Sequence, residues 1–347
     1  MGGLRYSPPM RALLVVNPKA TTTSERARTV LVRALRTEMD IRIGETRRRG
    51  HAAELARQAV RDRLDVVVAL GGDGTVNEVV NGLLTATPKV ATGSAVRRAG
   101  STTTAVDAED EPERRRPAGD DLPVLAVVPG GSTNVFARAL GLPNDAIEAT
   151  GALLEALHAQ RTRTVGLGRA DGRFFTFCAG FGLDAQVVRA VERARLRGKI
   201  PTPGLYIRSA VTQFLIETDR RAPAITLEIP GEPPETGLGT VIVQNTTPWT
   251  YLGTKPISPC PDAGFDTGLD LMAVRALNVH GTALVATSLL TGRLSNLHAR
   301  HTLTRHDLSN FVLTASRPTP FQIDGEYLGE RTNVTFTAVP DALRVFC

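Results

Sequence analysis

The stretch Val66–Leu84, VVVALGGDGTVNEVVNGLL, constrains the fold of this chain more than any other. Its opening run of β-favouring residues reads as a strand buried on both faces, as in a parallel sheet. The strand empties into Gly71-Gly72-Asp73-Gly74-Thr75, and apolar residues then recur at helical spacing at Val76, Val79, Val80, Leu83 and Leu84. A strand, turn and helix in this order place the turn at the carboxyl edge of the sheet, where α/β proteins bind ligands. Glycines there let backbone N–H groups approach a phosphate, and a helix N-terminus favours an anion. Thr75 and Glu78 fit a T-x-x-E capping box at the helix start. Three glycines around one aspartate exceed what a plain βα turn needs. Asp73 suits a phosphate cradle only if Mg²⁺, or a hydroxyl about to lose its proton, offsets its charge.

The surrounding text repeats the pattern. Arg11–Pro18 (RALLVVNP) reads as a buried strand stopped by proline, followed by a helix that Ser24 can cap and whose apolar face is Ala27, Val30, Leu31, Ala34 and Leu35. Strand-like IRI, helical GHAAELARQAVRD and strand Leu64–Leu70 come next. Alternation of this kind predicts right-handed crossovers and a parallel sheet, an α/β domain over 10–158. Residues 88–121 carry Ser, Thr, Ala, Pro and mixed charge with no apolar period, and read as a disordered insertion. From about Arg161 the chain turns β-rich. Asp171-Gly172 signals a hairpin, and seven further runs, from AITLEI to LRVFC, alternate like strands, with helices expected in YIRSAVTQFLIE and HGTALVATSLL. This predicts an antiparallel β-sandwich domain over 159–325.

Bulk properties exclude little. The chain has 347 residues, 42% of them hydrophobic, with no run long enough to cross a bilayer and no secretory leader. Its three cysteines, Cys178, Cys260 and Cys347, form no framework, so a cytoplasmic protein is expected. The formal charge of +6 favours an anionic partner such as nucleotide, nucleic acid or a membrane surface.

A second glycine turn answers the first. In PGGSTNVFARALGLP, Gly130-Gly131-Ser132 again lies between a strand and a helix, with Gly141 as the C-cap. Two strand ends can therefore line one crevice. Neither a P-loop, nor the G-x-G-x-x-G dinucleotide fingerprint at a first strand, nor a G-x-S-x-G nucleophile elbow occurs.

Taken in order, GGDGTVNEVVNG, PGGSTNVFARALGLP and FQIDGEYLG resemble the diacylglycerol kinase catalytic-domain family, which includes bacterial soluble lipid kinases and sphingosine kinases. The resemblance covers nearly the whole chain. It implies an N-terminal α/β domain related to NAD kinase and phosphofructokinase, a C-terminal β-sandwich, and a last segment, 326–347, returning toward the first domain. It implies ATP bound between the domains and a lipid hydroxyl as acceptor. Matching the family's motifs, Asn17, Thr46, Gly71, Gly72, Asp73, Gly74, Thr75, Asn77, Gly131 and Ser132 would contact nucleotide. Glu326 would accept the proton, with Asp324 beside it and Asp73 reaching Mg²⁺. The chain departs from the family in three places: NPKAT lacks the glycine of NPxSG, Val135 replaces an acid, and Thr267 stands where a metal-binding aspartate is usual, leaving Asp266 as candidate ligand.

The implied enzyme is an ATP- and Mg²⁺-dependent lipid kinase of phospholipid metabolism. Its acceptor would be diacylglycerol or a related lipid at an anionic membrane surface, reached by peripheral association, with no nucleic-acid partner and a homodimer left open. Competing readings are a soluble-substrate kinase of the NAD kinase type, which shares GGDGT, and a non-catalytic relative that binds lipid or nucleotide. The segment HARHTLTRH, with His298, His301 and His306, reads as a basic solvated face that joins RAVERARLRGK against lipid headgroups. Trp249 and Tyr251 either line the acceptor pocket or pack.

Overall fold

The computed structural model describes residues 10–18, 20, 25–86, 122–197, 212, 224–275, 279–292 and 301–347. Ser24, the insertion at 88–121, the helix expected in YIRSAVTQFLIE and His298 lie outside the described residues.

The N-terminal half is a parallel sheet in the order β2 (Met39–Glu45), β1 (Met10–Val16), β3 (Val66–Gly71), β4 (Val124–Pro129). Every residue of β3 and β4 is buried, hence their unbroken apolar text. Alternate residues serve opposite faces. Leu13, Val15, Val67 and Ala69 meet α2 (His51–Arg61) and α3 (Asp73–Thr85), while Leu14, Val68 and Leu70 share a core with Leu35 of α1 (Glu25–Glu38) and Leu153 of α5 (Ala146–His158). A short α4 (Val135–Ala139) follows β4, and Gly141 ends it in the left-handed conformation. Helices α2 and α3 touch backbone to backbone, since a Cβ on Gly82 would lie 2.4 Å from the Ala53 carbonyl oxygen.

The C-terminal half is antiparallel. It comprises β5 (Thr162–Ala170), β6 (Arg173–Phe175), β7 (Cys178–Gly182), α6 (Leu183–Leu196), β8 (Ile225–Glu228), β9 (Glu235–Leu238), β10 (Thr240–Gln244), the small hairpin β11 (Thr250–Leu252) and β12 (Lys255–Ile257), and β13 (Leu269–Val274). Helix α7 (Val279–Thr291), β14 (Thr302–Leu308), β15 (Asn310–Ile323) and β16 (Glu326–Phe346) complete it. Phe175, Phe181, Phe311, Phe321 and Phe336 fill its core, with Phe311 stacked on Phe336 at 4.9 Å. The four runs NFVLTA, PFQID, NVTFTA and LRVFC form two long strands, because register shifts in the β15–β16 ladder, and between Val339 and Leu343 in the β16–β5 ladder, absorb the breaks between them. Sequence periodicity misses α6 and β14. The latter occupies most of the supposed solvated histidine face, yet Thr302 and Leu303 are buried.

Strand β16 joins the halves. It pairs with β15 and β5, and its last turn of text reaches β4 in parallel at Val345 and Leu125. One ladder thus runs β14-β13-β10-β7-β15-β16-β4-β3-β1-β2. Among the described residues no helix is long and apolar enough to cross a membrane.

Candidate active site

Strands β1, β3 and β4 run parallel, so their carboxyl ends gather at one edge. Asn17, just beyond β1, donates its backbone N–H to Leu70 O at 3.1 Å, and the Thr46 N–H reaches Val16 O at 2.8 Å. The two glycine turns meet there. Gly130 N–H donates to Gly71 O at 2.9 Å, and a Cβ on Gly131 would lie 2.7 Å from Gly72 Cα. Only bare backbone fits at this contact. Asn134 staples the second turn: its Oδ1 accepts from Gly131 N–H at 2.8 Å, and its Nδ2 donates to Gly131 O at 2.7 Å. Asn134 adopts φ 49°, the left-handed region that asparagine tolerates.

Helix α3 opens at Asp73 behind Gly72, with no side-chain cap. The expected capping box is therefore absent. Thr75 Oγ1 accepts from Asn17 Nδ2 at 3.1 Å, tying β1 to α3. Glu78 points away and caps the neighbouring helix, accepting from Gly50 N–H at 2.8 Å and Ala52 N–H at 3.1 Å. The start of α3 keeps the donors that no intrahelical carbonyl can satisfy. Asp73 lies on that first turn. Its Oδ1 accepts from Phe136 N–H at 3.2 Å, and burial pushes its carboxyl up to about 6.

One helical turn apart from each other, Asp73, Asn77 and Asn81 line the face of α3 that meets the C-terminal half. Asn81 Oδ1 accepts from Phe174 N–H at 2.9 Å, and its Nδ2 donates to Phe174 O at 3.0 Å. Asn77, expected to touch nucleotide, is instead buried. Its Nδ2 donates to Asp324 Oδ2 at 2.8 Å and to Phe174 O at 3.0 Å, while its Oδ1 accepts from Arg173 at 2.8 Å. Asp324 is buried too. It takes donors from Thr176 N–H and Oγ1, Phe177 N–H, Cys178 N–H and Asn77 between 2.7 and 3.1 Å. That many donors stabilise a carboxylate, although burial still raises its pKa. Asp324 is thus held by donors from the chain itself.

Asp324 and Gly325 form the turn between β15 and β16, both at positive φ, and the next residue is Glu326. The Glu326 carboxylate is 14% exposed and lies between two guanidinium groups, Arg173 on Oε2 and Arg49 on Oε1. Arg49 comes from the loop before α2 and also approaches Glu192 of α6 at 3.7 Å. Neither arginine stands out in the sequence, because nothing local marks them.

Other expected residues fall elsewhere. Ser132 and Gly74 are exposed at their turns, and Thr46 is half-buried. Asp266 sits in no ligand cluster. It pairs with Arg163 at 2.5 Å on the surface, and no group of three or more metal-ligating side chains occurs among the described residues. His306 is not a free basic group, for its Nδ1 lies 2.8 Å from the buried Asp270 carboxylate, which raises its pKa. Trp249 and Tyr251 pack against the N-terminal core, with the Arg138 guanidinium stacked over the Tyr251 ring.

A parallel α/β half with two touching glycine turns, joined through one strand to an antiparallel half whose Glu326 reaches α3 through Arg173, is an NAD kinase-like fold. Residues 11–170 match the diacylglycerol kinase catalytic domain. The diacylglycerol kinase of Bacillus subtilis (strain 168) is 25% identical over 283 residues, covering 81% of this chain and 77% of that protein. That of Staphylococcus aureus (strain JH9) is 25% identical over 292 residues, covering 82% and 75%. A crystal structure of a diacylglycerol kinase from Bacillus anthracis str. Sterne has the same fold, with a TM-score of 0.62 at 20% identity over 97% of this chain and 96% of that one. With this domain match over residues 11–170 and these relatives, the chain is a lipid kinase.

Proposed function

We propose that the protein transfers the γ-phosphoryl group of ATP to a hydroxyl of diacylglycerol or a closely related lipid, with Glu326 as proton acceptor. The observation that carries this reading is the placement of Glu326. Its carboxylate is bound by Arg173, whose guanidinium also donates to Asn77 on the helix that opens at the glycine turns.

The touching glycines bring two backbone turns together with no side chain between them, an arrangement that suits a phosphate chain gripped by backbone N–H groups. Backbone donors at the start of α3 face that space and favour anionic oxygens. Mg²⁺ carried with the triphosphate supplies charge neutralisation when bound, and Asp73, whose carboxylate sits on the first turn of α3 and accepts from Phe136 N–H, is the residue that would hold it. The Glu326 carboxylate takes the proton from the lipid hydroxyl. The freed oxygen bonds to the γ-phosphorus as the bond to the bridging oxygen of ADP breaks.

The lipid acceptor requires work at a bilayer. We infer peripheral binding to an anionic surface from the net charge of +6 and from the exposed Arg193 and Arg197 one turn apart on α6 and just beyond it. Purified protein is incubated with labelled ATP, Mg²⁺ and mixed vesicles containing diacylglycerol. Label is expected in the organic phase; label on added NAD instead would overturn the lipid reading. Glu326→Gln is expected to lower kcat about 10²–10⁴-fold while ATP affinity holds, and unchanged turnover would remove Glu326 from its role.

A further inference from the structure

We infer that Arg173 is a positioning residue that fixes the proton acceptor relative to the phosphate cradle, an inference that rests on the kinase reading above. Arg173 is the first residue after the Asp171-Gly172 turn, and the residue beside it is pinned to α3. Phe174 N–H donates to Asn81, and Phe174 O accepts from both Asn77 and Asn81. The start of β6 is therefore stapled to α3 at two successive turns of that helix.

The orientation of the Asn77 amide follows from its partners. Its Nδ2 faces a carboxylate and a carbonyl, both acceptors, so its Oδ1 must be the atom turned to Arg173. The same Arg173 Nη2 that donates to Asn77 Oδ1 at 2.8 Å also contacts Glu326 Oε2. A single guanidinium nitrogen thus references the acceptor carboxylate to α3, whose first turn begins at Gly72. Arg49 grips the other carboxylate oxygen but is 63% exposed and shared with Glu192, whereas Arg173 is 30% exposed and held from both sides. The two differ in kind. Arg49 neutralises the carboxylate, and Arg173 sets where it stands.

A planar guanidinium can serve two acceptors at fixed angles, which an ammonium group does poorly. Misplacing a reacting group by about 1 Å can cost about 10²-fold in rate. The test compares wild type, Glu326→Gln, Arg173→Lys and Arg173→Gln in the vesicle kinase assay, with kcat expressed per nucleotide-binding molecule. Arg173→Gln is expected to lower kcat about 10²-fold with the KM for ATP changed less than about threefold, and Arg173→Lys to fall between it and wild type. A residue that only latches the halves would lower thermal stability and leave kcat per binding molecule untouched; that result overturns the inference. If Arg173→Gln does not fold, Arg173→Lys alone decides, and wild-type kcat in it overturns the inference as well. Loss of phosphorylated lipid in wild type itself would overturn the kinase reading, and this inference with it. Active wild type with inert Glu326→Gln and full-rate Arg173→Gln would overturn this inference alone.

Discussion

At Gly72 and Gly131 the chain strips away side chains so that two backbones touch. At Asp324 the chain does the reverse: a side-chain carboxylate enters the protein and consumes donors from Thr176, Phe177, Cys178 and Asn77. Both are tight turns at strand ends, and both use N–H groups against negative charge. In the proposed mechanism the first turn keeps its donors for a phosphate chain, and the second spends them internally, two residues before the proposed proton acceptor Glu326.

The largest effect is expected where the internal carboxylate is neutralised. Asp324→Asn puts an NH₂ group among donors and should lower stability by at least about 3 kcal/mol, read by urea unfolding. A loss under about 1 kcal/mol would mean the donors turn to water or to each other.

Gly131→Ala attacks the opposite turn. Its Cβ would press on Gly72 backbone at 2.7 Å, so an overpacking loss of about 1–3 kcal/mol is expected, together with weakened ATP binding by calorimetry. Retained nucleotide affinity would separate the glycine contact from the phosphate cradle.

Asp73 sharpens the comparison through pH. Burial raises its carboxyl from 3.8 to about 6, so the native state holds this proton more tightly than the unfolded chain. The carboxyl therefore favours folding at low pH, and that contribution is lost as pH rises through about 4 to 6. Asp184, also raised to about 6 by burial, adds a slope of the same sign. In urea titrations across this window, Asp73→Asn should flatten the fall. A slope identical to wild type would show that Asp73 titrates alike in both states.

The smallest effect is expected at Glu78, which caps α2 from across the helix pair. Glu78→Ala should cost about 1 kcal/mol, the usual size for a lost N-cap. A neutral result would show that water caps α2 equally well.

Sequence alone carried the α/β alternation, the two glycine turns and the hairpin at Asp171-Gly172, because each is written in contiguous residues. It misplaced contacts whose partners are distant. Thr75 and Glu78 have the spacing of a capping box, yet Glu78 finds two free donors at α2 and Thr75 finds Asn17. His306 looked solvated until Asp270, 36 residues away in sequence, was brought beside it. Strand β14 escaped detection because its two buried residues, Thr302 and Leu303, are adjacent and the polar run Arg305-His306-Asp307 follows, so no period-2 pattern shows.

What the amino-acid order determined by itself was the cradle: glycines where no side chain fits, and apolar runs that must be buried on both faces. Only the tertiary structure decided how the Glu326 carboxylate is held. Arg49, Asn77, Arg173 and Glu326 come from four elements, and charge and hydrogen-bond pairing between such distant residues leaves no local trace in sequence.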